Sequence, residues 1–469
     1  MDRKDNPELT VNVEQAPVTP ASGKALTPTS TNGLRTRETT FTTEEGIELP
    51  VIPGSAGLGL PAEEHRLGVR QGSIRTKWQE RRAVAALWWC LFMAGWNDAT
   101  TGPLLPRIQE NYNVNFTVVS ILFICNFIGF TSAAVLNVRL TDWWGFGATI
   151  ALGAGAQVVA YTLDTPAPPY PLFCIAFIIN GFGIGLQDAQ ANTFVACLPG
   201  AETKMGWLHA WYGMGALVAP LIATQFAQLP RWNFHYLVSL IISIINLVVL
   251  IVVFRFKTQE DLLGVTEHHL EDAQIPGSKY KRMFKLKILH LLAFFALVYV
   301  GLEVTIGGWI VTYIIDVRGG GATSGYVSSG FFGGLTLGRV LLLWVNKKIG
   351  PKYVVIMYCL LCIALEIVIW FVRSIIGDAL SVSIVGLLLG PIYPIIMNVG
   401  SRILPRSLLA GSIGWIASFG QVGSAIFPFI TGALSQHYGV QVLEPILVGM
   451  LAVLIALWAM VPTRPKTDD

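Results

Sequence analysis

AVAALWWCLFMAGWNDATTGPLLPR, running from Ala83 to Arg107, decides how this chain is read. It is apolar for the roughly 20 residues a helix needs to cross a bilayer. Yet it sets Asn97 and Asp98 side by side, two thirds of the way along. A carboxylate at that depth costs on the order of 3 kcal/mol on insertion scales, so it belongs in a watery cavity or beside a partner. Gly95, Gly102, Pro103 and Pro106 lie in the same stretch. They are expected to interrupt regular hydrogen bonding and to let neighbouring helices approach closely. The stretch predicts a membrane helix lining a transport pathway; the alternative is a buried polar pair that only holds helices together.

Composition points the same way. Of 469 residues, 53% are hydrophobic and 13% charged, about half the charged share usual in soluble domains, and the mean hydropathy is +0.57. A net charge of +3 and the lack of any nucleic-acid motif argue against a nucleic-acid partner. The six cysteines all fall in apolar segments without a zinc pattern, and Cys359 and Cys362 read as helix filler despite their CxxC spacing. No phosphate-binding GxxxxGK[ST], nucleophile elbow or HExxH occurs, which argues against an ATP-driven pump and against an enzyme. No cofactor or metal is expected.

Residues 1–80, rich in Thr, Pro, Gly, Glu and Ser, read as a disordered tail without a signal peptide. Apolar runs then predict twelve spans, near 83–105, 116–137, 146–163, 171–195, 206–228, 234–256, 286–315, 324–345, 352–373, 378–399, 408–431 and 441–462. A polar stretch between the sixth and seventh, containing His268 and His269, divides the chain into six plus six. The expected organisation is a tail (1–80), a first bundle (81–256), a linker (257–285), a second bundle (286–462) and a short end (463–469). Lys and Arg cluster before the first span (Arg75, Lys77, Arg81, Arg82), in the linker and at Lys347, Lys348 and Arg402. By the positive-inside rule both termini and the linker are cytoplasmic. Asn115 then opens a glycosylation sequon on the outer side. The plasma membrane is the expected location, an internal membrane the alternative.

The two halves resemble one another. Gly206, Trp207, Trp211, Gly215, Pro220 and Gln228 recur at one offset as Gly414, Trp415, Phe419, Gly423, Pro428 and Gln436. Gly95, Asn97 and Gly102 align with Gly301, Glu303 and Gly308, Gly129 with Gly334, and Gly145 with Gly350. Parallel repeats of this kind place substrate between the halves at mid-membrane.

Three acids fall near the midplane: Asp98 in the first span, Asp188 in the fourth and Glu303 in the seventh. A carboxyl group held away from water favours its protonated form, the property a proton-coupled carrier needs. The competing role is a fixed ion pair, with Arg339 the available cation. Around Asp188, the amides Gln187, Gln190 and Asn192 suit a hydroxyl-rich ligand because they donate and accept together. His209 and Trp309 complete the candidate substrate contacts, with Asn97. Glu366 reads as structural.

These residues resemble the major facilitator superfamily, and within it the fucose-permease branch and its fungal relatives. Asn97-Asp98 followed by Leu104-Leu105-Pro106 is similar to that permease's first span. Asp188 followed by Ala191-Asn192 and Phe194-Val195 is similar to its fourth, and Tyr299-Val300-Gly301 and Gly338-Arg339 to its seventh and eighth. The resemblance implies an all-α fold of twelve transmembrane helices in two pseudo-symmetric bundles, with the Asp98 and Asp188 positions coupling substrate to protons. The family's cytoplasmic loop motif is partial. Leu140, Asp142 and Gly145 fit, while Val138, Trp143, Phe146 and Gly147 depart from it. Asp142 is expected to act in gating by facing a helix N-terminus near Gly411 and Ser412, and Arg339 is grouped with it. The expected function is proton-coupled transport of a sugar or similar small polar solute by a monomer in the lipid bilayer. The alternatives are an exporter of a hydrophobic metabolite or drug, and a non-transporting sensor on the same fold.

Overall fold

The computed structural model describes residues 77–263, 281–405 and 408–462. Most of the expected tail, most of the linker with His268 and His269, and the chain end lie outside the described residues. What is described is helical, in fifteen α-helices. These are α1 (Lys77–Tyr112), α2 (Phe116–Val119), α3 (Ile121–Asp164), α4 (Tyr170–Ala196), α5 (Ala201–Ala227), α6 (Phe234–Phe254), α7 (Gln259–Leu263) and α8 (Lys287–Arg318). After them come α9 (Tyr326–Leu341), α10 (Leu343–Ile349), α11 (Pro351–Phe371), α12 (Ile375–Leu389), α13 (Ile392–Ile403), α14 (Leu409–Tyr438) and α15 (Leu443–Ala459).

Among the described residues, eight helical segments are long and apolar enough to cross a membrane, and nine if α9 and α10, bent by 55°, form one span. The segment Phe116–Asp164 holds two of the expected spans. At 1.5 Å per residue its 49 residues far exceed a bilayer, so it must turn back. It does so at Gly145, whose φ of 77° belongs to the left-handed region that favours glycine. The matching Gly350 opens α11 with φ 86°. Helices α1 and α5, the expected first and fifth spans, are less apolar than those segments, α1 because it carries Asn97 and Asp98, and they complete the twelve.

Three details differ from expectation. Helix α1 starts at Lys77, inside the expected tail, and continues unbroken through Pro103 and Pro106. A proline removes one backbone donor, which packed membrane helices tolerate. The short helix α7 occupies the start of the expected linker.

The outer faces identify the surroundings. On α6, Ile241, Ile244, Ile245, Val248 and Val252 form an exposed apolar stripe at helical spacing, while Ser239, Ser243 and Asn246 are buried. A helix turned polar-in and apolar-out is solvated by lipid.

Packing repeats between the halves. Helix α1 packs on α5 as α8 packs on α14, α3 on α4 as α9 on α12, and α3 on α6 as α11 on α15. Glycines allow the closest of these approaches. A Cβ at Gly95 would lie 1.9 Å from the Tyr212 carbonyl oxygen, and one at Gly215 would lie 2.0 Å from that of Phe92. Their counterpart in the second half is Gly423, 1.9 Å from the Leu297 oxygen. Gly129 and Gly334 repeat the pattern against Ile178 and Ser383.

Candidate functional site

Alternation of the spans puts the described starts of α1, α5, α8 and α14 at one end of the bundle, here the tail end, and their C-termini at the far end. The halves meet at the far end. The Phe116 amide donates to Gln436 Oε1 at 3.1 Å, Gln225 bonds the Tyr326 hydroxyl, and the Phe116 and Trp309 rings lie 6.0 Å apart. Backbones touch there too: a Cβ on Gly102 would lie 2.0 Å from the Gly307 oxygen, and one on Gly432 would strike Ser120. Ser120 is fully buried as a result.

At mid-length of α1 the environment changes. Trp96, Ala99 and Thr100 are buried, yet Asp98 between them is exposed and Asn97 half-exposed. Asp98 is therefore accessible at mid-length and within electrostatic range of groups on both halves, while the contacts above close the halves together at the far end. The Tyr212 hydroxyl of α5 donates to Asp98 Oδ2 at 2.8 Å, and Asn97 Nδ2 donates to Oδ1 at 3.3 Å. Asn97 Oδ1 accepts from Tyr161 at 3.2 Å and from Asn180, so α3 and α4 fix its orientation.

Asp188 on α4 is half-buried and close enough to Asp98 to feel its charge. Asn192, one turn on, donates to Asp188 Oδ1 at 3.0 Å. From the second half, Glu303 on α8 stands 4.0 Å from Arg339 on α9 and within electrostatic range of Asp98. Tyr393 on α13 lies within electrostatic range of Asp188 and Glu303 and stacks on Tyr299 at 6.2 Å. His209 on α5 is exposed and faces the charge of Arg339. This mid-length region thus gathers three carboxyl groups, one guanidinium, amides and phenols, a set that can hold a proton and a hydroxyl-rich ligand side by side.

Other candidates stand elsewhere. Gln187 is buried, donating to Gln157 Oε1 at 2.7 Å and accepting from Asn246 at 2.7 Å and Cys90 at 3.1 Å. Gln190 is buried against Asn137 at 2.7 Å and Thr141 at 2.6 Å. Trp309 is buried with its indole nitrogen donating to the Pro428 carbonyl at 3.0 Å. All three differ from the expected ligand contacts, because their polar atoms are consumed in joining helices. Asp142 is exposed at the tail end beside the Gly145 turn. Asn115 caps α2, accepting from the Val118 amide at 2.8 Å.

Sequence reasoning missed Tyr393 and the pairing of Tyr212 with Asp98. A signal for the first existed: Pro391 and Pro394 flank Tyr393, and the tenth span breaks there between α12 and α13. In the second half, Arg318 Nε donates to Asp378 Oδ2 at 2.8 Å, with Glu366 and Glu444 buried close by.

The family model of the Major Facilitator Superfamily matches residues 87–428. The chain is similar to the bypass of stop codon protein 6 of Saccharomyces cerevisiae, 25% identical over 412 residues, which cover 81% of this chain and 83% of that protein. It is also similar to the glucose/mannose transporter GlcP of Bacillus subtilis, 23% identical over 81% of this chain and 94% of the relative. Among solved structures, a variant of the Escherichia coli fucose:proton symporter aligns with a TM-score of 0.55 at 18% identity, covering 81% of this chain and 98% of that one.

Proposed function

Because this chain belongs to the Major Facilitator Superfamily, and so is a membrane transporter and not an enzyme, we propose that it couples protons to the movement of a sugar by alternating access of one central site. The observation that carries the reading is Asp98: exposed at mid-helix, hydrogen-bonded by Tyr212, and within reach of the charge of Asp188. Closing the halves around two carboxylates would strand both charges away from water. A bound proton removes one of them, so closure follows loading. Asp98 and Asp188 carry the coupling proton; Glu303 is held by Arg339, which becomes available to the ligand when Glu303 is neutral.

Asn97, Asn192 and His209 offer donors and acceptors to sugar hydroxyls. The names of the glucose/mannose and fucose:proton relatives support that cargo class. The tail end is the cytoplasmic side by its lysines and arginines, so the contacts that join the halves at the far end close the outer side, and this conformation is read as inward-open. Asp142 acts there, stabilising the inside-closed state. The transporter works as a monomer, in the plasma membrane.

One observation favours a second reading, export of a hydrophobic metabolite. Trp88 stacks on Trp211 with ring centroids 6.2 Å apart, and Trp207, 57% exposed, lies beside them.

The test uses purified protein in liposomes holding a pH dye, with glucose, mannose and fucose offered outside. Sugar-dependent proton movement in the wild type, lost in Asp98→Asn and in Asp188→Asn, is expected. Proton movement with hydrophobic compounds alone would overturn the sugar reading in favour of the exporter.

A further inference from the structure

Where α1, α4 and α6 meet α7 at the tail end, the structure holds a cavity of about 600 Å³. It lies within the roughly 300–1,000 Å³ common for small-ligand sites. Its rim carries Arg82, Arg255 and Lys257 against one carboxylate, Asp261, and its floor is apolar, with Phe194 and Val252. Among the described residues none of the three cations is in a salt bridge.

The rim is held in place. Arg255 and Phe256, neither of them glycine, both adopt positive φ, at 50° and 56°. Such residues are strained and persist only where the surroundings enforce them. Here the enforcement is visible: the Gly147 amide donates to the Lys257 carbonyl at 2.9 Å, and a Cβ on Gly147 would press on the Lys257 backbone at 2.8 Å. The double reversal ends α6 and pins Lys257 against the start of the third span. On the other side the Arg82 guanidinium lies 4.5 Å over the Trp78 ring, so an aromatic suited to the membrane interface carries one of the cations. Val252 belongs to the lipid-facing stripe of α6, so the floor continues into the bilayer.

We propose that this cavity binds the phosphate group of an anionic phospholipid from the leaflet at the tail end. The three cations take the phosphate, while Val252 and Val253, accessible beside them, take the first carbons of the acyl chains. Unpaired cations alone would suit a soluble phosphate equally; continuity with the lipid face of α6 selects the lipid. An occupant there would brace α1 against α6 in the first half.

The experiment titrates the full-length protein in mixed micelles with brominated phosphatidylglycerol or brominated phosphatidylcholine and follows tryptophan quenching. The component absent from Trp78→Phe reports this cavity. The wild type is expected to be quenched by the anionic lipid at far lower mole fraction than by the zwitterionic one. The triple variant Arg82→Gln, Arg255→Gln, Lys257→Gln should lose that preference, by on the order of 100-fold, while Arg82→Lys with Arg255→Lys keeps it. Equal quenching by the two lipids in the wild type would overturn the proposal, as would a preference unchanged in the triple variant. Displacement of the anionic lipid by glycerol 3-phosphate at equal concentration would overturn the lipid assignment in favour of a soluble phosphate.

Discussion

Gly102→Ala places one methyl group in the seam between the halves. The added Cβ would lie 2.0 Å from the Gly307 carbonyl oxygen, whereas a carbon and an oxygen rest about 3.3 Å apart even in a close contact. The obstacle is backbone of the opposite half, so no side chain can rotate away; α1 and α8 must separate by something near the shortfall of about 1.3 Å. Overpacking of this kind costs about 1–3 kcal/mol. That cost falls on the conformation closed at the far end, and a shift of that size changes a two-state ratio by roughly 5- to 150-fold. The reporter is Ser120→Cys, at a fully buried position of the seam that a Cβ on Gly432 would strike. Its labelling by a membrane-impermeant maleimide, above that of the parent chain, should rise by the same factor when Gly102→Ala is added. Gly95→Ala is the control. Its Cβ would meet the Tyr212 oxygen at 1.9 Å inside one half, so it should lower thermal stability and leave the labelling ratio alone. Unchanged labelling in a folded Gly102→Ala protein, or an equal rise with Gly95→Ala, would refute the rocking of rigid halves about this seam.

Tyr212→Phe removes the 2.8 Å donor to Asp98 and keeps the carboxyl group. A hydrogen bond to a charged group is worth about 1.5–3 kcal/mol, so transport should fall by about tenfold to a hundredfold, short of the full loss in Asp98→Asn, as measured by labelled-sugar uptake. Gln187→Leu leaves Gln157 and Asn246 without their buried partner; it should lower stability by about 1–3 kcal/mol with KM unchanged, whereas Asn192→Ala should raise KM. Arg318→Leu strands the carboxylate of Asp378, 1% exposed. Breaking a buried pair costs about 3–5 kcal/mol, so Tm in detergent should drop sharply while the sugar affinity of surviving protein holds.

Much of this molecule was legible in its sequence because the bilayer permits so few solutions. Apolar runs of spanning length, two homologous halves and acids at mid-span emerge from counting, and the glycines that aligned between halves (Gly129 with Gly334, Gly145 with Gly350) do matching work in the fold. What periodicity could not decide was direction. Gln187 and Asp188 are neighbours on one helix, and nothing local says which faces the site. The answer came from Gln157 and Asn246 on α3 and α6, whose side chains claim Gln187. Nor could residue type foretell that α1 would run unbroken past Pro103 and Pro106, since that depends on neighbours satisfying the freed carbonyls. Tyr393 escaped notice because its span was counted as one regular helix; two flanking prolines were the sign that it is not.

The central claim is that Asp98 and Asp188 link the proton to the sugar. The direct measurement is accumulation of labelled sugar in liposomes under an imposed pH gradient, beside sugar exchange at equal pH on both sides. The account predicts that the wild type accumulates and exchanges, while Asp188→Asn exchanges without accumulating. Gradient-driven accumulation at the wild-type level in Asp98→Asn and Asp188→Asn together would contradict it.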